Sequence, residues 1–228
     1  VVHMRDDTGQ KLTSLFVIEL LRFRMEVVVF EASSTRVNST CMATAFTHAF
    51  VATALGAARP RGVSPLKVAV VLSAVAVLPD VDVLAFRLGI PYEHPLGHRG
   101  LTHSLPFAAV VGMLTPWLWF REVPRFTRAW WVLALLSFLA GASHGVLDAL
   151  TDAGRGVGFF LPFTDGRYFA PWRPLETSPV SPIAFFRVRS LGILANELLW
   201  VWLPVGLVWM AVHQARAKES LIIYFTIC

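Results

Sequence analysis

Four apolar runs, 66–86, 101–120, 129–150 and 191–212, restrict what this chain can become more than any other feature. A helix crossing a bilayer needs about 20 predominantly apolar residues, with roughly 17 tolerated. A fifth run, 43–58, is shorter. Lipid offers the backbone no hydrogen bonds, so such runs must satisfy themselves as helices. With 55% hydrophobic and 15% charged residues and a mean hydropathy of +0.59, an ordinary soluble domain is excluded. The expected fold is all-α, a multi-pass transmembrane bundle of about four to five helices in one domain.

The ends depart from this pattern. Glu19, Arg22, Arg24 and Glu26 interrupt the apolar stretch 15–30, which also lacks the uninterrupted core of a signal peptide. The segment from Met42 to His48 reads as a natural start. Residues 1–41 are therefore expected to be an extension outside a functional unit spanning 42–217, with 218–228 a peripheral tail. Cys41 and Cys228 lie outside every spanning run and supply no metal cluster. The net charge of +5 falls largely in connecting loops, where Arg and Lys set membrane orientation.

Proline and glycine mark the breaks. Arg59-Pro60-Arg61-Gly62 and Ser64-Pro65 separate the first two runs. Pro79 is expected to kink or end the second, because it removes a helical hydrogen bond and crowds the preceding turn. The loop 121–128 is short and basic, whereas 151–190 is long and rich in Gly, Pro and aromatic residues. A segment of that length is expected to be a lid or binding loop. Seven of the eight tryptophans, Trp117, Trp119, Trp130, Trp131, Trp172, Trp200 and Trp202, suit an aromatic belt at the interfaces.

Against this background six ionisable residues stand out in or beside apolar runs: His48, Asp80, Asp82, His103, His144 and Asp148. Such residues are costly near a bilayer and are functional candidates by default. Threading the helices alternately across a membrane brings all six to one face, together with His98. The opposite face holds the basic loops 59–67 and 121–128 and the Arg216/Lys218 end. Short Lys/Arg-rich loops favour the cytoplasm, which puts the ionisable set toward the outside.

His144 and Asp148 are four apart and share a helix face, so imidazole and carboxylate can aim at one ion or simply pair with each other. His98-Arg99-Gly100-Leu101-Thr102-His103-Ser104 crosses a loop-to-helix junction. There Gly100 permits close backbone approach, Thr102 or Ser104 can cap, and Arg99 can fork onto an anionic oxygen. Asp80 and Asp82 flank the proline break, where they can bridge metals and orient water, or stand as solvated acids at a helix end. His48 is a lone histidine, and His94 lies farther out in the loop. Asn196 and Glu197, early in the last run, are either partners of the ligands or interfacial polar groups.

The order Thr47-His48, Leu78-Pro79-Asp80-Val81-Asp82, His98-Arg99-Gly100-Leu101-Thr102-His103-Ser104 and His144-x-x-x-Asp148 resembles the YdjM-type inner-membrane, metal-dependent hydrolases, whose description also includes the phrase LexA-binding. The likeness runs from about Met42 to Ala217 and is distantly similar to zinc-dependent phospholipase C and P1-type nucleases. It implies metal ligation by His48, Asp80, His103, His144 and Asp148, with Asp82 and His98 less firmly placed.

The function expected from residues and resemblance together is a metal-dependent hydrolase in the cell's inner membrane, cleaving a phosphoester such as a lipid headgroup. His48, Asp80, His98, His103, His144 and Asp148 would hold the metal; Asp80 or Asp82 would orient the attacking water, and Arg99 would stabilise developing charge. Several histidines without a nearby thiol favour zinc, with manganese or magnesium suited to the carboxylates. A transporter relaying protons or metal through the same residues is the main rival, and a non-catalytic membrane scaffold the second. Nothing in these residues reads as nucleic-acid recognition. Apart from the bilayer and the substrate, no partner is indicated.

Overall fold

The computed structural model describes residues 41–179 and 190–227. The proposed extension 1–41 lies outside them except for Cys41. Among the described residues the regular structure is helical apart from a two-residue antiparallel pairing of Cys41–Met42 with Ser178–Pro179 and the isolated bridges Thr151–Leu175 and Val157–Tyr168.

The helices start where the sequence supplies caps. Helix α1 (Ala45–Leu55) follows Thr44, whose hydroxyl accepts from the Thr47 amide. Helix α2 (Pro65–Val77) follows Ser64 with proline at its first turn. Helix α3 (Leu105–Trp119) is capped by Ser104, one of the two residues expected there, and α4 (Arg128–Ala149) by Thr127. The last helix begins as α5 (Ser190–Glu197), widens into a π turn over Leu198–Trp202, and continues as α6 (Leu203–Ile227).

Pro79 ends α2 as its chemistry requires. The chain then tightens into a 3₁₀ helix, Leu78–Val83, and one further helical turn, Leu84–Arg87. The run 66–86 is therefore not one spanning helix. Only α4 and the stretch Ser190–Lys218 are long and apolar enough to cross a membrane among the described residues; Ala45–Ala58 and Leu105–Trp119 are shorter apolar helices. Residues 218–227, expected as a separate tail, continue α6.

Helix α4 is the centre of the bundle and packs against α1, α2 and α3. Val68, Leu72, Val75, Ala76, Leu133, Leu136 and Ala140 fill the space between them. At Gly112 the α3 and α4 backbones come so close that an added Cβ would lie 2.9 Å from the Phe138 backbone nitrogen. The missing side chain at Gly112 is what permits this close approach. Large apolar side chains face outward instead, among them Val70, Val110, Leu114, Trp131, Leu135, Leu139, Leu207 and Val208. Apolar surface on this scale marks contact with something other than water.

The two ends of the bundle differ in chemistry. At one end Lys67 pairs with Glu122 at 2.7 Å, and the Arg216 guanidinium donates to the Ala57 and Arg59 carbonyls. The Lys67 ammonium holds the exposed Glu122 carboxyl below its ordinary range. At the other end converge the 3₁₀ helix after α2, the turn before α3, the last turns of α4 and the first of α1. Threading predicted this one-ended gathering.

Candidate metal centre

Each arm of the site is set by local backbone chemistry. In a 3₁₀ helix, three residues make a turn, so residues two apart point in different directions. Asp80 accordingly faces α4, with Oδ1 3.2 Å from His144 Nε2, while Asp82 faces the 98–103 turn. That turn is tight. Arg99 has a left-handed φ of 59°, rare for a residue with a side chain. A Cβ on Gly100 would sit 2.3 Å from the Pro95 carbonyl oxygen, so only glycine fits. The turn ends in a short 3₁₀ segment, Leu101–His103, which delivers His103 to the centre.

The histidines are oriented from behind. His144 Nδ1 lies 2.6 Å from the Ala76 carbonyl. A carbonyl only accepts, so this nitrogen carries the proton and Nε2 keeps its lone pair. His103 Nδ1 lies 3.1 Å from Asp82 Oδ2, which likewise turns its Nε2 inward. Asp82 is fully engaged: it also takes His98 Nδ1 at 2.7 Å, the Arg99 amide at 3.1 Å and the Thr102 hydroxyl at 2.8 Å.

Four electron-pair donors then meet. His103 Nε2 and His144 Nε2 are 3.0 Å apart. Asp148 Oδ2 is 3.3 Å from the first and 3.7 Å from the second, and Asp80 Oδ1 is 3.2 Å from His144 Nε2. His48 stacks on His144 with ring centroids 3.8 Å apart, its Nε2 3.9 Å from Asp148 Oδ1. Both His48 ring nitrogens and Asp80 Oδ1 are buried without a hydrogen-bond partner, and Asp148 Oδ2 has only ion-pair contacts, with the Arg99 guanidinium at 3.2 Å and His103 Nε2 at 3.3 Å. Buried polar atoms are almost always satisfied, so donors left over in one place are available to an ion.

These groups can hold a metal ion. Three overlapping sets have the right donors within reach: His48 with His144 and Asp148, Asp80 with His103 and His144, and Asp82 with His98 and His103. All the members of these sets are buried to 0–2% side-chain exposure except Asp80, at 13%, so the site opens on the Asp80 side.

Arg99 stands differently from the expected anion-binding fork. It is fully buried, with Nε 3.2 Å from Asp148 Oδ2 and its terminal nitrogens on the Ala153 carbonyl and the Thr151 hydroxyl. Asp148 also accepts from the Ala43 amide at 3.2 Å. His98 sits behind Asp82, edge-on to Tyr92 and His103. His94 is exposed, its Nδ1 accepting from the Leu96 amide.

The described part of the long segment covers this end of the bundle as an ordered cap. Gly158 donates to the Arg99 carbonyl, Leu105 to the Phe159 carbonyl and Ala170 to the Ala149 carbonyl. Arg167 donates to the His98, Arg99 and Tyr92 carbonyls, and Asn196 ties the Pro174–Glu176 stretch to α5. Burial pushes the Tyr92 phenol upward and the Arg167 guanidinium downward from their ordinary values.

Sequence patterns could not reveal the backbone groups involved, the Ala76 carbonyl and the Ala43 amide, because any residue type provides them. Thr151 carried no signal either. Thr44-x-x-Thr47 did carry one, as a hydroxyl pair at a helix start.

The chain is 38% identical over 175 residues to the inner membrane protein YbcI of Escherichia coli (strain K12), covering 74% of this chain and 98% of that protein. No solved structure matches. The model of one family matches residues 42–217, the stretch that contains every residue of the cluster, and the chain belongs to that family, the YdjM inner membrane proteins.

Proposed function

We propose that this protein is a multi-pass, membrane-embedded, metal-dependent hydrolase that cleaves a phosphoester, a lipid headgroup included. One observation carries the reading. Four lone-pair donors on His103, His144, Asp80 and Asp148 converge within 3.0–3.7 Å for the pairs given, with two of the imidazoles oriented by hydrogen bonds on their far nitrogens. Ligands on one tetrahedral zinc, at about 2.0–2.1 Å from it, stand about 3.3 Å apart. The spacing and the absence of thiol donors in the set fit zinc. When bound, such an ion lowers the pKa of its water toward about 7 and polarises a phosphoryl oxygen.

The chain's own residues divide the remaining work. With three of these donors on the ion the remaining position would take a water, which Asp80, the least buried of the four, would orient and deprotonate. Asp82 holds His98 and His103 by their Nδ1 atoms, as an outer carboxylate does in metal sites. Arg99 fixes Asp148 and anchors the cap through Thr151 and Ala153. The cap and the buried walls exclude water from the centre. The phosphoester class rests on the family resemblance, and the site's position at the end opposite the basic loops supports an extracytoplasmic face.

Elemental analysis of detergent-purified protein beside His144→Ala and Asp148→Ala tests the metal. Wild type is expected to hold a stoichiometric transition metal that both variants lose; a metal-free wild type would sink the hydrolase model. A phosphodiester screen then tests the reaction, with metal-dependent turnover abolished in His103→Ala. Metal uptake into proteoliposomes without turnover would favour transport instead.

A further inference from the structure

Glu197 is a fully buried carboxylate at the end of α5, and no ligand role accounts for it. It accepts from the Thr44 amide at 2.6 Å, the Thr44 hydroxyl at 2.5 Å and the Thr47 hydroxyl at 2.8 Å. Those donors form the N-terminus of α1. The first amides of a helix have no partner within it, and a negative charge there is favourable. Glu197 therefore caps α1 from a helix more than a hundred residues away in sequence.

The π turn explains how the last helix reaches this point twice. Trp202 Nε1 donates to the Thr47 hydroxyl at 2.6 Å, so Glu197 and Trp202 grip the same threonine. Five residues along an α-helix, at 3.6 per turn, lie about 140° apart around the axis and cannot share a target. The wider turn over Leu198–Trp202 swings both onto one side.

What this clamp fixes is the metal-facing part of α1. His48 follows Thr47 directly, and Ala43, just before Thr44, donates its amide to Asp148. His48 has no hydrogen bond of its own to hold its ring. Its orientation depends on stacking against His144 and on the placement of the α1 backbone. We propose that Glu197, with Trp202, is a positioning residue for the metal centre, setting the placement of His48 and of the Ala43 amide on Asp148 from outside the ligand shell. This role rests on the metal-centre reading.

The test is Co²⁺ titration of the full-length protein in detergent, following the visible ligand-field spectrum. It compares wild type, Glu197→Ala, Glu197→Gln, Trp202→Phe, His48→Ala and the double variant His48→Ala/Glu197→Ala. Glu197→Ala is expected to weaken Co²⁺ binding about 10–100-fold, the range for outer partners of metal ligands, and to shift the spectrum toward that of His48→Ala. Glu197→Gln, which keeps one acceptor oxygen, should recover part of the affinity. The double variant should fall clearly short of additivity, because the part of the effect that runs through His48 is already lost and only the part through the Ala43 amide on Asp148 remains. Wild-type affinity and spectrum in Glu197→Ala, or full additivity in the double variant, would overturn the role. Should Glu197→Ala fail to fold, Glu197→Gln and Trp202→Phe decide, and unchanged spectra in both would overturn it. A wild type that binds no Co²⁺ overturns the metal centre itself, a result distinct from either.

Discussion

His144 Nε2 lies 3.2 Å from Asp80 Oδ1, one atom on the central helix and the other on the 3₁₀ turn beyond Pro79. Neither atom has a hydrogen to share when His144 is neutral and its Nδ1–H donates to the Ala76 carbonyl. A cation between them resolves the conflict. Asp80→Asn should therefore lower metal affinity by at least about 100-fold, beyond the 10–100-fold seen for outer partners. Equilibrium metal titration with a competing chelator measures this.

Asp82 accepts four hydrogen bonds and faces the Nδ1 atoms, so its loss should act indirectly. Asp82→Asn is expected to weaken metal binding about 10–100-fold while leaving a full complement of metal at high concentration. Elemental analysis at two metal concentrations separates this outcome from that of Asp80→Asn.

Metal and protons compete for the same lone pairs on His48, His103 and His144. Binding should release protons, and affinity should fall as pH falls. Calorimetry in buffers of different ionisation enthalpy counts the protons released. A binding enthalpy independent of buffer would count against histidine ligation.

Arg99 and Asp148 are both fully buried and pair at 3.2 Å. Removing one partner of a buried pair leaves an uncompensated charge, at a cost of about 3–5 kcal/mol. Arg99→Ala should lower stability by that order in detergent unfolding. Arg99→Lys should not restore it, because lysine lacks the fork that also reaches Thr151 and Ala153.

Burial disfavours the Tyr92 phenolate and pushes the phenol up from its ordinary value. A folded-state pKa raised above the unfolded value gives stability that is present below about pH 10 and lost as pH rises through the shifted value. The chain has three tyrosines. Ultraviolet titration should show a late step that is absent in Tyr92→Phe.

Much of this protein was set by local sequence. Apolar runs between Pro and Gly breaks made helices, Ser64, Ser104 and Thr127 started them, and Pro79 ended α2, because capping and proline chemistry act over a few residues. Alternation of helix direction was enough to send every candidate ligand to one end. The grouping of His103, His144, Asp80 and Asp148 was legible for that reason.

Only the tertiary structure divided the labour within the cluster. Asp80 and Asp82 look alike in sequence, yet the 3₁₀ turn aims one at His144 and the other at the back of His98 and His103. Arg99 reads as an anion fork and instead holds Asp148, because packing against the cap leaves its guanidinium inside. Glu197 reads equally as a partner of the ligands or an interfacial acid; only the π turn, which brings it onto the start of α1, shows that it caps that helix. Hydrogen-bond partners distant in sequence, backbone carbonyls and amides above all, have no residue signature; their roles exist only once the helices are packed.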